Sequence, residues 1–247
     1  MTVALVTGAA KRLGREIALE LAKNGWDVAI HYRASKPDAE SLASEIRSLG
    51  CRSCLVDADL SVEAQVQTIV PRARAVLGDV HLLVNCASQF EDDRISNVTR
   101  ESWDRHLETN LRAPLVLSQA FAAQLPKGEG GAIVNIIDQT VLKLTPQFLS
   151  YTVSKAALWT LTQTLAQALA PMIRVNAVAP GPSLKASHQS QPNFDRQVQS
   201  TLLQRPSLPK DIAGAVMYLV SAQSVTGQMI AVDSGQHLGW SQSDLIE

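Results

Sequence analysis

Aromatic side chains are scarce, with Phe, Trp and Tyr making up 4% of the 247 residues. Few platforms therefore exist on which a flat ligand could stack. Charge of one sign is also lacking. The 22 Lys and Arg nearly balance 23 Asp and Glu, for a net charge of −1. No global field draws the chain to nucleic acid or to an anionic membrane. Cysteine is rare too: Cys51, Cys54 and Cys86 are the full set. That number excludes a disulfide framework and points to a reducing, cytoplasmic setting. Cys51 and Cys54 are spaced like half a zinc site, but no second pair follows, so both read as structural. The five histidines (31, 81, 106, 188 and 237) show no metal-ligand spacing, and no metal is expected. His106, in a stretch rich in Glu, Asp and Arg, is expected at the surface. No apolar run approaches the ~18 residues of a membrane span. The opening Met-Thr-Val-Ala-Leu-Val-Thr-Gly carries no basic leader and reads as a first strand rather than a signal peptide.

What is present is alternation. Short runs rich in Val, Ile and Leu occupy 3–6, 28–31, 53–56, 81–84, 132–137, 174–178 and 229–232. Helical patterns lie between them at 12–24, 37–49, 62–77, 101–124, 151–169 and 210–220. Near-continuous apolar strands separated by helices require a parallel sheet covered on both faces. The expected fold is a doubly wound α/β domain with seven parallel strands, spanning 1–247. Residues 180–209 break the pattern. They form a polar, Pro- and Ser-rich stretch of about thirty residues after a strand's carboxyl end, where open α/β sheets bind ligands. They read as a substrate lid or as a disordered excursion.

The first strand runs directly into Thr7-Gly8-Ala9-Ala10-Lys11-Arg12-Leu13-Gly14, followed by a helix. Glycines in such a turn let backbone N–H groups approach a pyrophosphate at a helix N-terminus. Arg12 stands where a middle glycine would, and adds a cation. The second strand ends in His31-Tyr32-Arg33-Ala34-Ser35-Lys36, without the acid that holds a ribose 2′-hydroxyl. Arg33, with Arg12, Ser35 or Lys36, suits a 2′-phosphate instead, which favours NADP(H) over NAD(H). Asp59, beside Leu60, is placed to touch an adenine edge or to open a helix beside Ser61. Asn85-Cys86-Ala87-Ser88 ends the fourth strand and is expected over the cofactor.

A carboxylate, Asp138, follows the fifth strand. Tyr151 and Lys155 come next, four residues apart on one helix face. A nearby ammonium is expected to lower the phenol pKa and make Tyr151 the proton donor, while Lys155 also holds ribose hydroxyls. An ionised Asp138 would repel a developing alkoxide. It suits a substrate with N–H donors, or a ring nitrogen gaining a proton, and so favours C=N over C=O reduction. The alternative makes Asp138 a turn residue, with Thr140 supplying a hydroxyl. Pro114 deprives the Asn110 carbonyl of its helical donor, which could free it to hold a water on a relay from Lys155. Phe90 is either a rim aromatic or a core residue. Ser88, and Ser183 with Leu184 beyond Pro180-Gly181, could reach cofactor or substrate.

The set Thr7-Gly8…Gly14, Asn85-Cys-Ala-Ser88, Asn110, Tyr151-x-x-x-Lys155 and Pro180-Gly181 resembles the short-chain dehydrogenase/reductase superfamily along essentially the whole chain. Three details resemble its pteridine reductase and dihydromonapterin reductase branch: Arg12 in the turn, Asp138 where most members have Ser, and Asn-Cys-Ala-Ser-Gln-Phe ending in Phe90. The branch has a second Asn where this chain has Cys86. The resemblance implies a Rossmann-type fold, NADPH and a homotetramer. It also implies Asp138, Tyr151 and Lys155 as catalytic residues, with Phe90 stacking on a pterin-like substrate. Expected cofactor contacts are Gly8, Arg12, Leu13 and Gly14 in the turn, then His31, Arg33, Ser35, Asp59 and Leu60. Asn85, Ala87, Ser88, Tyr151, Lys155, Pro180, Gly181 and Ser183 complete them. Expected substrate contacts are Ser88, Phe90, Asp138, Tyr151 and Leu184. The competing readings are a carbonyl reductase of another substrate and a non-catalytic NADP-binding sensor.

Overall fold

The computed structural model describes residues 2–186 and 189–240, so His188 lies outside the described residues. Seven strands form one parallel sheet: β1 (Val3–Val6), β2 (Asp27–Tyr32), β3 (Ser53–Asp57), β4 (Val80–Asn85), β5 (Gly131–Ile136), β6 (Ile173–Pro180) and β7 (Met229–Val232). Their spatial order is β3-β2-β1-β4-β5-β6-β7. The order reverses between β1 and β4, which opens a crevice at their carboxyl ends. β1 and β2 are buried along their whole length, because helices cover both faces. This is the doubly wound arrangement that the alternating apolar runs require.

Three helices pack on one face: α1 (Arg12–Lys23), α2 (Lys36–Ser48) and α8 (Pro209–Ser221). Ile17, Leu21, Leu42, Ile46, Ile212 and Val216 meet there with almost no solvent contact. Cutting any of these large side chains to Ala costs about 2–5 kcal/mol. The opposite face carries α3 (Glu63–Leu77), α5 (Ala113–Gln124) and α6 (Leu149–Ala168), with Ile69, Leu117 and Phe121 at the centre of their cluster.

Two helical expectations need correction. The pattern over 101–124 is not one helix. It divides into α4 (Arg100–Leu107), a π turn (Glu108–Arg112) and α5. Pro114 lacks an N–H, and the ladder widens by one residue just before it. The segment after β6 is not wholly irregular either. It contains α7 (Gln191–Gln199), capped by the Ser190 side chain, which accepts from Asn193 N–H. Its many Gln residues hid the short apolar face, where only Val198 is buried.

Candidate active site

The carboxyl ends of the strands open into a cavity of about 990 Å³. One end is the turn between β1 and α1. Gly8 has φ +65°, and a Cβ there would lie 3.0 Å from Ala87 Cα. At Gly14 a Cβ would fall 2.3 Å from the Gly8 carbonyl oxygen. No other residue lets the first turn of α1 sit this close to the loop. Thr7 ties the turn to β4, its hydroxyl accepting from Cys86 N–H and Ala87 N–H at 2.9 and 3.0 Å.

His31 fixes the same turn from β2. The Gly8 N–H donates to its Nδ1 at 3.1 Å, so Nδ1 is unprotonated and Nε2–H donates to Ala58 O at 3.2 Å. Burial lowers the imidazole pKa to about 4, which keeps it neutral. Arg12 also has positive φ, +55°. A left-handed conformation costs a non-glycine residue roughly 1 kcal/mol, and Arg12 occupies the position of the middle glycine. Its guanidinium reaches the segment after β6, donating to Leu184 O at 2.9 Å and Lys185 O at 3.0 Å.

Leu13, Arg33, Ser35, Asp59 and Leu60 line the far end of the cavity. Arg33 is exposed there. Asp59 accepts from Ser61 N–H and Oγ–H at 2.9 and 2.7 Å, so it opens the loop before α3 while also facing the cavity. Ala87, Ser88, Pro180, Gly181, Ser183 and Leu184 line the middle. The Ser183 hydroxyl is buried without a partner among the described residues, and buried polar atoms seek one.

Two expected site residues do not line the cavity. Asn85 turns into the core and donates to Asn135 Oδ1 at 2.8 Å. Asn110, in the π turn, is buried and clasps the loop after β4. It accepts from Gln89 N–H at 2.8 Å, and its amide donates to Gln89 O at 2.9 Å and Ser154 Oγ at 3.0 Å. Its side chain, rather than its carbonyl alone, holds the site together. Neither direction was visible in a sequence, because each partner is at least 21 residues away.

The reactive cluster sits where β5, β4 and α6 converge. The Tyr151 hydroxyl donates to Asp138 Oδ2 at 2.8 Å, while Asp138 Oδ1 accepts from Thr140 N–H at 2.8 Å. Asp138 therefore both caps a short 3₁₀ turn and faces the phenol. Its carboxyl is raised by removal from water. Tyr151 departs from expectation: its pKa is raised well above 10, first by burial and then by Asp138. Lys155 does not outweigh this shift. Its Nζ lies 5.7 Å from the Tyr151 ring centre and donates to Ile136 O at 2.9 Å. Burial lowers the Lys155 ammonium to about 8. Cys86 nearby is pushed up to about 12 and stays a thiol.

Phe90 is 38% exposed, which places it at the rim rather than in the core. Its ring centre is 4.6 Å from Tyr151, edge to face, and 4.8 Å from Phe148, stacked. Phe148 was not foreseen. It holds φ +54°, an uncommon conformation for a bulky residue, and lines the same cavity. Gln189, Asn193, Phe194 and Gln197 add a wall from α7 and the residues before it. Asn193 and Gln197, four apart on α7, were the available signal. His106 is also placed otherwise than expected, fully buried against Ser150. Among the described residues, no group of three His, Cys, Asp or Glu could hold a metal ion, and no helix is long and apolar enough to cross a membrane.

Residues 8–237 match the family model described as Enoyl-(Acyl carrier protein) reductase. The FolM alternative dihydrofolate reductase 1 of Brucella canis, solved with NADP, is 45% identical, with a TM-score of 0.93 over 100% of this chain and 98% of that one. Its counterpart from Brucella suis, also with NADP, is 45% identical, with a TM-score of 0.95 over 99% and 98%. The 3-oxoacyl-(acyl-carrier-protein) reductase FabG of Staphylococcus epidermidis is 34% identical over 95% of this chain and 98% of its own. A fold shared along the whole length, with Tyr151 and Lys155 facing one crevice, leaves a single assignment: the chain belongs to the short-chain dehydrogenase/reductase superfamily of oxidoreductases.

Proposed function

We propose that the protein is an NADPH-dependent pteridine reductase, converting a dihydropterin to its tetrahydro form. The observation that carries this reading is the 2.8 Å bond between Tyr151 and Asp138. A carboxyl group directly against the proton donor suits a ring nitrogen that must gain a proton. A carbonyl reductase would put a hydroxyl donor there, since a carboxylate repels a developing alkoxide. Similarity to two FolM structures at 45% identity supports the same reading.

NADPH supplies the hydride when bound. The glycine turn, with Gly8, Leu13 and Gly14, approaches its pyrophosphate. Arg33 and Ser35 take the 2′-phosphate, Asp59 and Leu60 the adenine end, and Lys155 the ribose. Ala87, Ser88, Pro180, Gly181 and Ser183 frame the nicotinamide half. Segment 180–209 acts as the lid, held to the turn by Arg12 and presenting Leu184 to the substrate. Phe90 stacks on the pterin, and Ser88 lies at its edge. The high pKa of Tyr151 keeps the phenol protonated, as a reduction requires. Its proton passes to the ring nitrogen beside the carbon that accepts hydride, so C=N becomes CH–NH. Asp138 then accepts N–H groups of the ring. Asn110 braces the loop beneath Phe90 and serves the relay that reprotonates Tyr151. The same reading places the enzyme in the cytoplasm as a homotetramer, which sedimentation would check.

One assay tests the proposal against its rival: NADPH oxidation with a dihydropterin, with dihydrofolate and with a β-ketoacyl thioester. The expected result is turnover of the dihydropterin. The 34% identity to FabG favours the thioester as the other arm. Turnover of the thioester alone would overturn the proposal, and absence of turnover throughout would favour a non-catalytic sensor.

A further inference from the structure

Behind Tyr151 lies a second buried cluster that takes no part in the chemistry above. Asp93 is almost wholly buried, and Ser150 and His106 are completely so. Phe148, the N-cap of α6, makes no side-chain cap. Asp93 substitutes for it. Its carbonyl accepts from Leu149 N–H at 2.9 Å, and its Oδ1 accepts from Ser150 N–H at 2.9 Å. A carboxylate at a helix N-terminus is favoured by the exposed N–H groups there. Asp93 Oδ2 also accepts from the hydroxyls of Ser150 and Ser102.

His106 completes the set. The Glu91 backbone N–H can only donate, and it lies 3.1 Å from His106 Nε2. Nε2 is therefore the bare nitrogen, and Nδ1–H donates to Ser150 Oγ at 2.7 Å. Ser150 passes its own proton to Asp93. The three residue types are those of a hydrolytic triad, but the polarity is wrong. The serine hydroxyl is spent on the carboxylate and has no access to a substrate.

The covalent neighbours give the cluster its meaning. Glu91 follows Phe90, and Ser150 precedes Tyr151. The His106 ring also stands 6.1 Å from the Tyr151 ring, near edge to face, with Phe90 on the phenol at 4.6 Å. We infer that His106, Ser150 and Asp93 form a positioning clasp, setting the distance between the platform Phe90 and the proton donor Tyr151. This inference rests on the roles proposed above for those two residues. The two halves of the clasp have separable effects. The Ser150 half fixes the phenol and governs kcat. The Glu91 half fixes the platform and governs KM.

Three variants cut the clasp at different links. Ser150→Ala removes the hydroxyl bridge. His106→Gln keeps an acceptor for Glu91 and loses the donor to Ser150. His106→Asn keeps that donor and loses the Glu91 link. Steady-state kinetics with a dihydropterin, NADPH Kd and thermal melting are measured for each. Ser150→Ala and His106→Gln are expected to lower kcat roughly tenfold or more, since a small misplacement of a reacting group is costly. NADPH Kd should stay within about twofold. His106→Asn should leave kcat within about threefold and raise the pterin KM roughly fivefold. Unchanged kinetics in all three, or equal losses in kcat and KM that track the fall in Tm, would overturn the inference. If the wild type turns over no pterin, the functional reading fails, and crystal structures decide the clasp by themselves. Ser150→Ala should then separate Tyr151 Oη from Asp138 beyond hydrogen-bond reach. Retention of the 2.8 Å contact would overturn the clasp.

Discussion

His31 should make this protein sensitive to mild acid. In the fold, its Nδ1 must accept from Gly8 N–H, and its pKa is lowered to about 4. In the unfolded chain the value returns to about 6.5. Between these limits the unfolded state binds more protons, so stability is full above about 6.5 and declines as pH falls toward 4. At about pH 5 the free-energy loss from this one group is about 2 kcal/mol, and its full span is about 3 kcal/mol. His31→Gln cannot take up that proton. Urea unfolding of both proteins at about pH 7.5 and about pH 5 isolates the effect, because every other titration is shared. The wild type should lose about 2 kcal/mol more than the variant across this interval. Equal losses would show that His31 is not held neutral by the glycine turn, and the tautomer assigned from Gly8 and Ala58 would be wrong.

Further outcomes follow from the same geometry. Gly14→Ala puts a methyl 2.3 Å from the Gly8 carbonyl oxygen; it should cost about 1–3 kcal/mol of stability in thermal melts and weaken NADPH binding. Arg33→Asp should lower NADPH affinity by roughly 10–100-fold in titrations and swing preference to NADH, as expected for loss of a charge-assisted bond. The kcat/KM profile for reduction should fall above pH about 8, where Lys155 loses its charge. Tyr151, shifted upward, does not produce that limb, and a profile flat through about pH 9 would contradict the placement of Lys155.

The sheet and the glycine turn were legible because their signals are local. Apolar runs of four to eight residues specify buried strands. Gly8 and Gly14 mark a turn that no other residue can make. Side-chain direction was less legible, because it depends on distant partners. Asn85 was placed at the right strand end and Asn110 in the right segment, yet both turn inward to partners far along the chain. His106 looked exposed because its neighbours Arg100, Glu101, Asp104 and Arg105 are charged. Its partner Ser150 is 44 residues on. The spacing of Tyr151 and Lys155 correctly put both on one helix. It could not show that the ammonium would donate to Ile136 O, or that burial and Asp138 would outweigh it at the phenol. Phe148 was missed because left-handed backbone at a Phe leaves no local sequence mark.

The central claim is that Asp138, against Tyr151, makes the site a C=N reductase. The most direct test is kcat/KM of Asp138→Ser with NADPH and a dihydropterin, relative to the wild type. The account predicts a fall of roughly 100-fold or more, the usual scale of a lost acid–base partner. Pterin turnover within about threefold of the wild type would contradict it.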